Sequence, residues 1–144
     1  MEKLPGPSLL YLVKQLELAV RARLDEIVRA GGVTALQYTA LTVLERHDGL
    51  SAAQLARDSF VTAQTMADMV RALESRGLIR RERNPGNRRE LLIHLTEQGR
   101  GLLAQYAKPV RELEEEMTGR LTEAQTAGFR HALIGSWQAL ASIS

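Results

Sequence analysis

The chain has 144 residues, with 19 Lys and Arg against 17 Asp and Glu for a formal net charge of +2, and is 44% hydrophobic but only 4% aromatic. That length suffices for one domain with a sizeable core, and a composition rich in Leu, Ala and Glu favours helix. The absence of cysteine excludes disulfides, thiolate metal sites and thiol redox switches.

Met1–Pro7, with two prolines and a glycine, reads as a loosely held arm. Ser8 is placed to cap a helix to about Ala30, with Leu9, Leu12, Val13, Leu16, Val20, Leu24 and Ile27 on one stripe and Gly31-Gly32 as its stop. At roughly 22 residues this helix is about 33 Å long, more than so small a body needs, and part of its stripe is available to a second subunit. Lys14, Gln15 and Glu17 interrupt its apolar run, so it reads as amphipathic rather than as a signal peptide or membrane span, and a cytoplasmic protein is expected.

Val33, Thr34, Gln37 and Tyr38 form a capping box with a hydrophobic staple, opening a second helix to about Arg46, and His47-Asp48-Gly49 makes the turn that follows. Ser51 and Gln54 form another box, opening a short helix with Leu55 and Ala56 on its apolar side. Thr62 then caps a helix whose Met66, Met69, Val70 and Leu73 bury one face, with Gly77 in the position just past its end. The opposite face carries Ala63, Gln64, Thr65, Ala67, Asp68 and Arg71, small or hydrogen-bonding groups suited to a DNA major groove.

Leu78–Arg83, the turn Asn84–Asn87 and Arg88–Leu95 predict a hairpin with Leu91, Ile93 and Leu95 pointing inward. From Arg71 to Arg89 the chain holds seven arginines against two glutamates, a local charge of +5. Arginine forks bind phosphate and guanine and fit a narrow minor groove, so an Arg-tipped hairpin beside a groove-sized helix is a coherent nucleic-acid footprint. Thr96 caps a long helix carrying Leu102, Leu103, Tyr106, Val110, Leu113 and Met117, which Pro109 is expected to kink or split near Tyr106. Leu121, Thr122 and Gln125 announce a last helix with Phe129, Leu133, Trp137 and Leu140.

The candidate DNA contacts are Ser51, Thr62, Gln64, Thr65, Asp68, Arg71, Arg81, Arg83, Arg88 and Arg89. Gln can bind adenine in a bidentate way, Thr can meet a thymine methyl or phosphate, and Asp can accept from cytosine. For Asp68, orienting Arg71 three residues on is an equal reading. Arg81 and Arg83 share a strand face and Arg80 points away. His47, His94 and His131 show no ligand spacing and read as surface or hinge residues, so no metal or cofactor is expected. Glu114–Glu116 is a solvated face, and no nucleophile elbow or phosphate-cradling glycine loop is present, so nothing supports an enzyme.

The runs L-E-x-x-G-L-I-x-R (Leu73–Arg81), N-P-x-N-R-R (Asn84–Arg89) and L-T-x-x-G-R (Leu95–Arg100) resemble the winged helix-turn-helix signature of the multiple-antibiotic-resistance regulator (MarR) family. The resemblance covers nearly the whole chain. It implies a mainly α fold with a small β-hairpin wing, a winged helix-turn-helix over 34–96, and dimerisation helices at 8–30 and 97–144 in a single domain of 1–144. It also implies a homodimer that binds a pseudo-palindromic operator in double-stranded DNA, most often a repressor relieved by a small aromatic or lipophilic effector. The effector crevice carries over to Leu12, Leu16, Tyr38, Thr42, His47 and Tyr106. Arg89 matches the Arg of the family's D-x-R wing motif, which enters the minor groove. Asn84 and Asn87 stand where that family usually has Asp, and Asn can still hydrogen-bond Arg89 or hold the turn. A second reading stays open, a winged-helix protein-interaction module without specific DNA binding.

Overall fold

The computed structural model of the protein describes residues 6–141. The arm expected over Met1–Pro7 therefore lies outside the described residues except for Gly6 and Pro7, as do the last three residues of the expected 97–144 span. The chain forms two compact units that meet at Val110/Arg111, within one helix.

In the first unit, α1 (Leu9–Val28) is capped by Ser8, whose Oγ accepts from the Tyr11 amide (3.1 Å). It tightens into a 3-10 turn at Arg29–Gly31 and stops at Gly32 with φ 78°, so the regular helix ends slightly before Ala30. Only its C-terminal third, through Leu24, Ile27 and Val28, packs on the core. Thr34 and Gln37 close the expected capping box on α2 (Ala35–Arg46), and Asp25 of α1 accepts from the Ala35 amide, fixing the corner between the helices. Helix α2 is the centre of the unit, with Ala40, Leu41 and Leu44 at 0% exposure. Each such leucine contributes about 1.5–3 kcal/mol through burial.

Strand β1 (Leu50–Ser51) leads into α3 (Ala52–Asp58), α4 (Ala63–Ser75), β2 (Ile79–Asn84) and β3 (Asn87–Leu95). The antiparallel sheet has the order β1-β3-β2, with Leu50 opposite Ile93 and Arg81 opposite Ile93 from the other side. The sequence reading lacked β1, and it made Ser51 half of a capping box. Ser51 Oγ does accept from the Gln54 amide (3.2 Å), but its backbone belongs to the β1 ladder. The inward alternation of β3 also stops short. Ile93 and Leu95 are buried while Leu91 is 40% exposed, because it pairs with Arg83 in the part of the hairpin whose β2 residues are themselves solvent-facing.

Thr96 starts α5 (Glu97–Met117) by accepting from the Gly99 amide (3.1 Å) and donating to the Gly77 carbonyl (2.6 Å). Helix and hairpin approach so closely at Gly99 that a Cβ would lie 2.3 Å from the Leu78 carbonyl oxygen. Leu102, Leu103 and Tyr106 bury this end of α5. Pro109 does not split the helix, which runs through it; proline removes one backbone hydrogen-bond donor, and the burial of the preceding turns holds the rest.

In the second unit, Thr122 and Gln125 make a complete capping box on α6 (Glu123–Ala141), with both bonds at 2.9–3.1 Å. None of its described residues is buried. Among the described residues, no single helix is long and apolar enough to cross a membrane.

Candidate nucleic-acid interface

The start of α4 is fixed by its own side chains. Thr62 Oγ1 accepts from the Thr65 amide (3.1 Å) and contacts Thr65 Oγ1 (3.1 Å), satisfying a donor that would otherwise be left unpaired at the helix end. Met66, Met69, Val70 and Leu73 anchor one face, leaving Ala63, Gln64, Asp68 and Arg71 exposed and Thr65 and Ala67 half-buried. Asp68 is ion-paired with Arg71, the geometry of a carboxylate that orients its neighbouring guanidinium.

The arginines divide into four groups. Arg76 leaves the basic patch altogether, since it donates to the carbonyls of Gly31 (2.8 Å) and Gly32 (2.5 Å). Arg71, Arg80 and Arg81 are paired with Asp68, Glu82 (3.3 Å) and Glu74 (2.7 Å) respectively. These pairs are solvent-exposed and worth at most about 1 kcal/mol each, so an arriving phosphate can displace the carboxylate. Arg83 donates to the Arg88 carbonyl (2.6 Å) across the wing. Arg88 and Arg89, at the tip, have no ion pair among the described residues.

The two wing asparagines hold the turn. Asn84 Oδ1 accepts from the Gly86 amide (2.9 Å) and its Nδ2 donates to Glu90 (2.8 Å), while Asn87 Oδ1 accepts from the Arg89 amide (3.2 Å). A cleft of about 390 Å³ lies between the start of α3, α4 and β3, lined among others by Ser51, Ala67, Arg71, Arg81, Arg89 and Leu91. It brings four of the expected DNA contacts to one surface.

The base of the wing is tied by a cluster absent from the sequence reading. Asp48 accepts from the Leu95 amide (2.8 Å) and lies 2.9 Å from His94 Nδ1, while His94 Nε2 lies 3.2 Å from Glu82. His94 is thus a bridging residue rather than a free surface histidine. Burial pushes the Asp48 carboxyl up, but the Leu95 amide, the His94 ring and the nearby Arg100 charge outweigh it and hold it below the usual carboxylate range. No sequence signal marks this cluster, because 46 residues separate Asp48 from His94.

The residues expected at an effector crevice are dispersed in their surroundings. Tyr38 and Tyr106 belong to the buried core, where burial and then Glu45 raise the Tyr38 hydroxyl, and the Tyr106 ring packs on Gly31. Thr42 is half-buried and donates to the Thr39 carbonyl (2.6 Å). His47 is an exposed helix cap, and Leu12 and Leu16 face outward.

Residues 33–91 match the MarR family, a stretch that covers α3, α4, β2 and the first part of β3. The chain is 31% identical over 123 residues to the HTH-type transcriptional repressor Rv2887 of Mycobacterium tuberculosis, covering 85% of this chain and 88% of that protein. The crystal structure of Rv2887 in complex with salicylic acid superposes with TM-score 0.73 at 30% identity, over 91% of this chain and 97% of that one. A crystal structure of MarR itself superposes with TM-score 0.86 at 22% identity, over 99% and 97% of the two chains. Resemblance across most of both chains to a repressor, with the helix-turn-helix and wing in place, makes this chain a member of the MarR family of transcriptional regulators.

Proposed function

We propose that the protein is a homodimeric repressor that reads a pseudo-palindromic operator, each subunit placing α4 in a major groove and its wing in the adjacent minor groove. The observation that carries this reading is the pair Arg88 and Arg89, whose guanidinium groups have no ion pair among the described residues, on a turn held by Asn84 and Asn87 beside the exposed start of α4. Gln64 and Thr65 read base edges, Asp68 orients Arg71, and Arg81 and Arg83 meet phosphates with Ser51 and Thr62 at the helix starts. The terminal helices form the dimer layer over 8–30 and 97–144, and two half-sites then lie about 34 Å apart. The protein works in the cytoplasm.

The effector is a small aromatic or lipophilic molecule, the class to which the salicylic acid bound by Rv2887 belongs. It acts by favouring the dimer whose α4 separation misfits the operator, with Leu12, Leu16, Tyr38, Thr42, His47 and Tyr106 as the residues to test. Selection of bound sequences from a random duplex library, repeated with Arg89→Ala, is the deciding experiment. An inverted repeat weakened by the substitution upholds the reading, with a log-log salt slope near about −7 for some eight neutralised phosphates. Absence of any enriched sequence, with a flat salt response, would instead favour a module that binds an acidic protein.

A further inference from the structure

The same helix ending is built twice in the DNA-facing region and its critical position is filled differently. At the end of α4, Gly77 has φ 74°, its amide donates to the Glu74 carbonyl (2.9 Å), and the Leu78 amide donates to Leu73 (3.0 Å). At the end of α3, Phe60 has φ 64°, its amide donates to Arg57 (3.3 Å), and the Val61 amide donates to Ala56 (3.1 Å). Both are complete Schellman endings, in which the left-handed residue is ordinarily glycine because a Cβ crowds the following carbonyl. Phe60 is the sole non-glycine residue with positive φ among the described residues.

The ring recovers none of that cost inside the protein, being 77% exposed. The left-handed backbone costs stability and the exposed ring returns little burial energy to offset it, so the use of this side chain lies in what covers it. Phe60 stands two residues before Thr62, the cap of α4, and so lies at the lip of the surface that α4 presents. Its following neighbours Ala63 and Gln64 are small or polar, and Val61 turns toward the core. Phe60 is therefore the exposed large apolar side chain nearest in sequence to the start of α4 among the described residues.

We propose that Phe60 is a DNA contact, its ring covering an apolar part of the duplex at the edge of each half-site, either a thymine 5-methyl or the face of a deoxyribose. The inference rests on the DNA-binding reading above and adds an apolar contact to a surface otherwise made of hydroxyls, amides and guanidinium groups. A thymine methyl at the major-groove edge is the feature to which an aromatic ring is complementary. Removing one buried methyl weakens such a contact about fourfold.

The test uses the full-length protein and its selected operator, with thymines replaced one at a time by deoxyuridine, which lacks only the methyl. Binding is read by fluorescence anisotropy for wild type, Phe60→Gly and Arg89→Ala. Phe60→Gly should unfold at a temperature no lower than wild type, with a gain of up to about 4 °C from the relieved backbone. It should also bind the operator more weakly. If the contact is a methyl, wild type and Arg89→Ala lose about fourfold at one deoxyuridine position and Phe60→Gly loses nothing there; if it is a sugar, Phe60→Gly weakens every duplex and no methyl matters. Operator affinity unchanged in Phe60→Gly would overturn the proposal, as would a fall in its unfolding temperature, which would make the ring a support of the turn. Failure of wild type to bind any duplex would sink the DNA-binding reading itself, a result separate from these.

Discussion

The winged-helix body and the terminal helices are built from similar leucines that meet opposite fates. In the body Leu41, Leu44 and Leu55 are 0% exposed, whereas Leu10 near the start of α1 is 81% exposed and Trp137 and Leu140 of α6 are 62% and 72% exposed. Within α1 itself the division is visible, since Leu24 and Ile27 pack on the core while Leu9 and Leu10 do not. A hydrophobic stripe therefore states that a surface must be covered, and leaves open which chain covers it. In the proposed dimer the body folds on its own residues and the terminal helices on a partner's.

Substitutions can separate these two roles. Leu44→Ala leaves a cavity in the body and should cost about 2–5 kcal/mol, lowering the thermal midpoint by more than about 5 °C whatever the protein concentration. The double change Leu10→Asp and Trp137→Asp should convert the dimer to monomer in sedimentation velocity while circular dichroism keeps the signal of the body; an unchanged sedimentation coefficient would remove the terminal helices from the interface. Gly99→Ala, which drives a Cβ into the Leu78 carbonyl, should destabilise by about 1–3 kcal/mol, measured by urea unfolding. Arg89→Ala should leave the midpoint alone and cost about 1–3 kcal/mol of operator binding, roughly five- to 150-fold in Kd.

The smallest effect concerns acid. Because Asp48 is held below the usual carboxylate range in the folded chain, its contribution to stability is fully present above the unfolded value of roughly 4 and is lost as pH falls through the lowered folded value. Asp48→Asn should flatten that part of the pH dependence, seen as a smaller loss of midpoint between about pH 5 and pH 3 than in wild type.

Features encoded within a few residues were legible in the sequence. The boxes at Thr34/Gln37 and Thr122/Gln125, the cap at Thr62 and the buried face of α4 depend on neighbours three or four positions away, and the asparagine-held turn of the wing on neighbours two to six away. What escaped was set by distant partners. Strand β1 is two residues long and exists through β3; Leu91 has the right alternation and too little body beneath it; Arg76 belongs to a run of arginines and serves another helix. Phe60 escaped for a different reason. Left-handed helix ends are recognised from glycine, and this one has none. In the candidate interface the pairing of Asp68 with Arg71, three residues on, was legible, whereas that of Arg81 with Glu74, seven residues back, and of His94 with Asp48, 46 residues back, was not.

Arg76 also carries a mechanical consequence. It sits at the C-terminal cap of α4 and reaches back 44 and 45 residues to the carbonyls where α1 ends, gripping both with one planar fork. A planar guanidinium holding two adjacent carbonyls restrains twist as well as separation, so in the proposed dimer it ties the end of α4 to the end of α1. On the proposed function, a shift of α1 is passed to α4 at the end opposite the tip that enters the groove, where a small displacement becomes a change of tilt.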